Sequence, residues 1–177
     1  MPEAISLPAR GLISDRVRLR PWLPDDTAAL VTAWADPEIA RWTAVPPNSD
    51  LTAARRWIEG DAARLAAGMA VDLVVCEPLE AAVLGEIGLG PIDWERRAAQ
   101  VGYWTAAPAR KRRLASAALG LLTSWAVDEL SLRLLVARCH PANVASSAVA
   151  SAAGYSVERS DSEGFDLHVY RASTGTC

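Results

Sequence analysis

Polar and apolar residues alternate along the chain with two periods, and each period predicts a type of secondary structure. Residues 16–20, RVRLR, alternate at every second position, which predicts a strand. Residues 24–36 carry apolar side chains at helical spacing behind two aspartates that can cap a helix. A short helical turn follows and stops before two consecutive prolines. Residues 51–67, which begin after the capping residues Ser49 and Asp50, predict a longer helix.

The second half of the chain combines short strand patterns with two helical patterns. The predicted elements are strands 70–76, 81–90 and 98–105, helix 114–130, strand 132–139, helix 143–153 and a closing hairpin of residues 154–157 and 165–170. The three consecutive strands predict an antiparallel meander. We therefore expect a single domain over residues 1–177, with its core at about 14–172. Its class is α/β (α+β), with a mixed, mostly antiparallel central sheet and helices on both faces.

Composition and charge narrow the range of partners. The chain has 177 residues, is 51% hydrophobic and carries a formal net charge of -3. Binders of nucleic acid usually have a basic excess, so no nucleic-acid partner is expected. Cys76, Cys139 and Cys177 have no paired spacing, which predicts neither a disulfide framework nor a metal site. The N-terminus lacks the pattern of a signal peptide, and no apolar run is long enough for a membrane span. These features predict a cytoplasmic protein without a membrane partner.

The segment from Gln100 to Tyr155 carries the most specific pattern of the sequence. It holds the aromatic strand QVGYWT, the basic turn RKRRLA, a helical pattern, a second strand and the motif HPANVAS, and it ends in Gly154-Tyr155. This order of motifs resembles the cofactor half of the GNAT superfamily of acetyl-CoA-dependent N-acetyltransferases. Within the superfamily the segment is most similar to the branch of the RimJ and RimL ribosomal-protein acetyltransferases. The resemblance implies acetyl-CoA as cofactor and a small-molecule or peptide amine as acceptor.

The resemblance also implies roles for individual residues. In the family, the backbone of the strand binds the pantetheine arm of coenzyme A, and the following turn and helix N-terminus bind its pyrophosphate. An Asn in the later motif helps to hold the cofactor arm, and a Ser there can return a proton to the leaving thiolate. The matching cofactor-binding residues here are Tyr103, Trp104, Thr105, Arg110, Lys111, Arg112, Arg113, Leu114, Ala115 and Asn143, and the matching catalytic residue is Ser146.

The basic turn departs from the family pattern, because Lys111 and Arg113 stand where two glycines are usual. Three interpretations are open. The cations could bind the diphosphate by charge-assisted hydrogen bonds. They could instead form a solvated helix start, or Arg113 could fill the cleft and exclude coenzyme A. For Asn143, helix capping alone is a sufficient explanation, and Ser146 could likewise serve only a backbone amide.

A general base is needed to take the proton from an acceptor ammonium. Members of the RimL branch usually carry Glu at the position of Gln100, and an amide cannot act as the base. Glu86 and Glu95 remain as candidates, and Glu86 has the better claim because it shares a strand face with Gly88. A solvated sheet residue is the competing interpretation of Glu86. Cys139 lies in an apolar strand and reads as a small buried hydrophobe.

The acceptor site shows no motif of its own. Trp42 and Trp94 lie in predicted loops, where recognition residues are common, so both are predicted to bind the substrate together with Gln100. Three function classes are compatible with the sequence. They are a GNAT N-acetyltransferase, a GNAT fold of specialised metabolism that no longer uses acetyl-CoA, and a binding protein that sequesters a ligand for self-resistance. Either a monomer or a homodimer is expected.

Overall fold

The computed structural model of the protein describes residues 4–173 and builds them around one eight-stranded sheet. Its strands are β1 (Leu12–Ile13), β2 (Arg18–Pro21), β3 (Val71–Cys76), β4 (Gly85–Asp93), β5 (Ala98–Thr105), β6 (Leu134–Cys139), β7 (Ser156–Ser160) and β8 (Asp166–Arg171). Their spatial order is β1-β2-β3-β4-β5-β6-β8-β7. Only β5 and β6 pair in parallel; the other neighbours are antiparallel. The expected mixed, mostly antiparallel sheet is confirmed.

Five α-helices cover the two faces of the sheet. They are α1 (Thr27–Trp34), α2 (Pro37–Trp42), α3 (Leu51–Ala66), α4 (Leu114–Asp128) and α5 (Val144–Ala152). Side chains cap three of them as local chemistry predicts. Asp36 accepts hydrogen bonds at the start of α2, Asp50 at the start of α3 and Asn143 at the start of α5. None of the helices in residues 4–173 is long and apolar enough to cross a membrane.

Strand alternation divides the core into two apolar clusters, one on each face of the sheet. The larger cluster packs α4 and α5 against side chains such as Leu73, Ile87 and Val101. The smaller cluster packs α1 and α3 against the opposite face, around Trp22 and Val74. Helices therefore lie on both faces, as expected, and the two faces have different chemistry.

The structure corrects several predicted boundaries. Strand β4 begins at Gly85 rather than at residue 81 and continues to Asp93, and the short edge strand β1 had no sequence signal. Ala107–Ala109 forms a single 3-10 turn between β5 and α4. The proline in that turn needs no amide hydrogen bond at the first helical positions, so it fits there without extending α4.

Candidate active site

The parallel strands β5 and β6 separate before β5 ends. Their pairing covers Ala98 to Val101, whereas β5 stays paired with β4 on its other side as far as Thr105. The backbone of Gly102–Thr105 therefore has an edge toward β6 without a strand partner. Such an edge can accept an extended ligand as an added strand. Tyr103 and Trp104 lie on this stretch and project to opposite faces, Tyr103 toward the larger cluster and Trp104 toward the smaller one.

The turn between β5 and α4 keeps a backbone conformation that normally requires glycine. Lys111 and Arg113 have φ values of 61° and 62°, in the left-handed region. Arg113 occupies the N-cap position of α4, and its side chain makes no capping hydrogen bond. The first N–H groups of α4 therefore keep their capacity to bind an anion. Backbone geometry is retained here although the glycines are not.

The four cations of the turn fall into two pairs. Arg110 donates to the carboxylate of Asp36 at 2.7 Å and to the carbonyl of Thr105 at 3.1 Å, which ties α2 to the end of β5. Arg112 forms an ion pair with Glu77. Lys111 and Arg113 are exposed and have no ion-pair partner within residues 4–173. Their charge is available to an anion at the helix start, and the Arg113 side chain lies at the surface instead of filling a cleft.

Replacing either left-handed residue by glycine should stabilise the fold. We expect Lys111→Gly and Arg113→Gly each to raise the free energy of unfolding by up to about 1 kcal/mol, because a Cβ atom in this region is strained. The greater freedom of glycine in the unfolded chain offsets part of the gain. Urea denaturation measures the change. Arg112→Gly, whose φ is not left-handed, serves as the control and should lose stability; equal behaviour of all three variants would contradict the strain.

Ser146 and Tyr103 form a hydroxyl pair beside the open edge of β5. Ser146 Oγ donates to the Tyr103 hydroxyl at 3.1 Å, and that hydroxyl donates to the Ser146 carbonyl at 2.9 Å. The Cys139 thiol, which is buried, lies 3.2 Å from the same Ser146 Oγ. Burial raises the pKa of Tyr103 well above its usual value, so this phenol keeps its proton. The pair belongs to the face covered by α4 and α5.

Glu86 lies on the opposite face, in a row with Val74 and Trp104 across three neighbouring strands. Its Oε1 accepts a hydrogen bond from the Trp104 indole at 3.2 Å, and its buried Oε2 has no partner within the described residues. The indole N–H of Trp22 is also buried and has no acceptor within the described residues. Burial first, and then the negative charge of Asp72, raise the pKa of Glu86 from 4.5 to about 8. A carboxyl group with this pKa is suited to general base catalysis near neutral pH.

The predicted acceptor residues do not lie together. Gln100 is exposed on the same face of β5 as Trp104, and Trp42 lies at the end of α2, where its ring is 5.3 Å from that of His140 after β6. Both therefore border the region where β5 and β6 separate. Trp94 instead packs against the larger cluster and donates to the Gly68 carbonyl at 2.7 Å. These contacts give Trp94 a structural role.

Three residues near Glu86 were not predicted from the sequence. Asp72 on β3, Asp61 on α3 and Trp22 after β2 all contribute to its surroundings. Strand alternation could have placed Asp72 on the face of Val74. No local signal connects Trp22 or Asp61 with a residue on β4, because helix-to-sheet packing brings them there.

Known proteins resemble this chain in sequence and in fold. The model of the acetyltransferase (GNAT) domain matches residues 16–156. The chain belongs to the GNAT acetyltransferase family. This GNAT chain is 29% identical to the "Uncharacterized N-acetyltransferase p20" of Bacillus licheniformis over 143 residues, which are 76% of either chain. The assignment predicted from the strand, turn and helix motifs is confirmed.

Solved structures of the GNAT fold superpose on nearly the whole chain. Mycobacterium smegmatis RimJ in complex with CoA-disulfide has a TM-score of 0.77 and 22% identity, covering 88% of this chain and 82% of RimJ. The microcin C7 self-immunity acetyltransferase MccE in complex with acetyl-CoA and AMP also has a TM-score of 0.77, with 19% identity over 93% of this chain and 97% of MccE. At these identities the likeness shows the fold.

Proposed function

We propose that this GNAT chain transfers an acetyl group from acetyl-CoA to a primary amine of a small molecule or of a protein N-terminus. One observation carries the proposal. Glu86, the β4 partner of Trp104, and the Ser146–Tyr103 hydroxyl pair lie on opposite faces of the sheet at the stretch of β5 that has left β6, so this stretch has a candidate proton acceptor on one face and a candidate proton donor on the other. Such an arrangement suits acyl transfer from a thioester to an amine.

Several features of the chain fit coenzyme A. The unpaired edge of Gly102–Thr105 can bind the pantetheine amides, and the left-handed turn and uncapped start of α4 can bind the pyrophosphate. The exposed side chains of Lys111 and Arg113 add positive charge at that point. RimJ and MccE, which share the fold, were solved with CoA-disulfide and with acetyl-CoA, and this supports the same ligand here.

Glu86 and the Ser146–Tyr103 pair have separate roles in the proposed reaction. Acetyl-CoA, when bound, supplies the acetyl thioester. Glu86 accepts one proton from the acceptor ammonium, and the freed amine nitrogen forms a bond to the carbonyl carbon. The nitrogen then loses its second proton to solvent as the carbon–sulfur bond breaks. The Ser146–Tyr103 pair donates a proton to the departing sulfur, and solvent restores that proton. The proton on Glu86 also passes to solvent. The nitrogen therefore loses two protons while the sulfur gains one, so one proton is released for each acetyl group moved.

The proposal is tested by titrating the protein with acetyl-CoA while following tryptophan fluorescence, because Trp104 lies on the proposed cofactor edge. Release of free thiol is then followed with primary amines. Binding together with amine-dependent thiol release is expected. Binding without transfer to any amine would favour a ligand-binding role. A lack of binding would favour a fold that no longer uses acetyl-CoA.

The thiolate proton donor has its own test. We expect Ser146→Ala to lower kcat by about tenfold, because part of the proton-donating pair is lost while the Tyr103 hydroxyl remains. Coenzyme A affinity, measured by calorimetry, should stay near its starting value. Ser151→Ala, an exposed serine on the same helix, is the matched control. A Ser146→Ala variant with full kcat would leave this residue with a structural role in α5.

A further inference from the structure

The face of the sheet that carries Glu86 has an open area at one glycine. Gly102 and Gly88 are direct partners on β5 and β4. A Cβ atom added at Gly102 would meet no atom within 4 Å, whereas one added at Gly88 would lie 2.5 Å from Asp72 Oδ1. The carboxylate of Asp72 therefore lies over Gly88, directly beside the open area above Gly102. Glu86, two residues before Gly88, borders the same area.

The polar groups around this area carry more negative than positive charge. Asp72 Oδ2 accepts from Arg64 at 3.1 Å, while Asp72 Oδ1 receives no hydrogen bond within residues 4–173. Asp61, only 7% exposed, shares the same guanidinium nitrogen at 3.6 Å, and its Oδ1 has no hydrogen-bond partner there either. Among residues 4–173, Arg64 is thus the one cation paired with Asp61 and Asp72, with Glu86 close by.

Aromatic rings lie on the same face of the sheet, in the smaller cluster. The ring of Trp104 lies 6.4 Å from that of Trp22, and Trp22 lies 5.7 Å from Trp57 in an edge-to-face arrangement. The guanidinium of Arg64 stacks 4.9 Å from the centre of Trp57, which fixes the direction of its bond to Asp72. An alkyl chain fits beside such rings, and a cation among rings and carboxylates is favoured over an anion.

We propose that the acceptor carries a second cationic group, held by Asp72 Oδ1 while the reacting amine lies beside Glu86. This inference rests on the proposed acetyl transfer and names its substrate class, an alkyl diamine or an amine that bears another cation. The two carboxylates are diagonal neighbours on β3 and β4, so the two nitrogens are separated by roughly 5–7 Å. An acceptor with a carboxylate at that distance meets Asp72 and is rejected.

Three amines of equal length test the substrate class on the unmodified protein. Acetylation of 1,3-diaminopropane, butylamine and 4-aminobutanoate is followed by thiol release, and the three differ only in a terminal ammonium, methyl or carboxylate. We expect kcat/KM for the diamine to exceed that for butylamine by about tenfold or more, as for a charge-assisted hydrogen bond. The carboxylate compound should be slower than butylamine.

The same series with Asp72→Asn assigns the effect to this side chain. The diamine-to-butylamine ratio should fall at least about tenfold in the variant. Asp128→Asn, an exposed aspartate at the end of α4, is the matched control and should keep the ratio. Thermal melting establishes that the variants are folded, and the result on the unmodified protein holds even if Asp72→Asn does not fold.

The outcomes separate this inference from the proposed function. Equal rates for butylamine and the diamine, or a good rate with 4-aminobutanoate, would overturn the second-cation site and leave acetyl transfer standing. A ratio that survives in folded Asp72→Asn would overturn the role of Asp72. If neither butylamine, nor the diamine, nor a peptide N-terminus is acetylated, the proposed function is overturned. This substrate class is then overturned with it.

Discussion

Glu86→Gln should lower kcat/KM for acetyl transfer by at least about 100-fold at neutral pH. Glutamine keeps the size of the side chain and can still accept a hydrogen bond from the Trp104 indole, so the local packing is preserved. It cannot accept the proton of the ammonium. The measurement is thiol release over a range of primary-amine concentrations, which gives kcat/KM, and Glu80→Gln, which removes a charge from an exposed turn, is the matched control.

The pH profile adds an independent check on Glu86. Because its pKa is raised to about 8, the rate of the unmodified protein should increase with pH up to about that value and then level off. Glu86→Gln should lose this limb of the profile together with the rate. A variant that keeps both the rate and the profile would show that the proton leaves by another path, through water or from an amine already neutral in solution.

The raised pKa of Glu86 also predicts that the folded protein is less stable at alkaline pH. Its pKa is higher in the folded protein than the ordinary value of 4.5, so the folded state binds more protons between about pH 4.5 and 8. The stabilising effect of the protonated carboxyl is complete below pH 4.5 and is lost as the pH rises through 8. Glu86→Gln should therefore be more stable than the unmodified protein at pH 9, by about 2–4 kcal/mol in urea denaturation.

Gly102→Val should abolish most of the activity by filling the open area next to Glu86. We expect kcat/KM to fall about 100-fold, mainly through a higher KM for the amine. A Cβ atom at Gly102 meets no protein atom within 4 Å, and valine is favoured in strands, so the fold should tolerate the change. The new side chain stands on the face of the sheet, whereas the proposed pantetheine edge is formed by backbone groups.

Calorimetry with coenzyme A distinguishes this steric effect from general damage. Affinity for coenzyme A should stay within a few fold in Gly102→Val. Gly120→Ala is the matched control, because Gly120 on α4 also has open space at its Cβ position and lies away from the acceptor side. Full activity of Gly102→Val would move the acceptor site elsewhere, and loss of coenzyme A binding would show that the substitution disturbs β5.

Local sequence patterns predicted the elements whose signals are contained in a few neighbouring residues. Strand β5 and the start of α4 agree with the prediction, since a two-residue period and a proline break are local features. The cap at Asn143 also follows from its own residue type. Alternation correctly predicted that Glu86 shares a face with Gly88, because the direction of side chains along a strand needs no tertiary information.

Sequence alone did not predict how residues far apart in the chain combine. The contact of Arg110 with Asp36 spans 74 positions and joins α2 to the end of β5. Trp94 looked like a loop residue for recognition, but its indole is used to hold the turn after α3. The left-handed conformation of Lys111 and Arg113 is likewise not indicated by their residue types, because glycine is the residue that favours it.

The sequence by itself determined the family, the order of strands and helices and the identity of Glu86 and Ser146 as candidates, because each depends on a motif or a period along the chain. The tertiary structure alone decided the environment of these residues. Strand register placed Asp72 over Gly88, and helix packing brought Trp22 and Asp61 to the surroundings of Glu86. The pKa of a carboxyl depends on burial and on nearby charges, and both are properties of the packed chain.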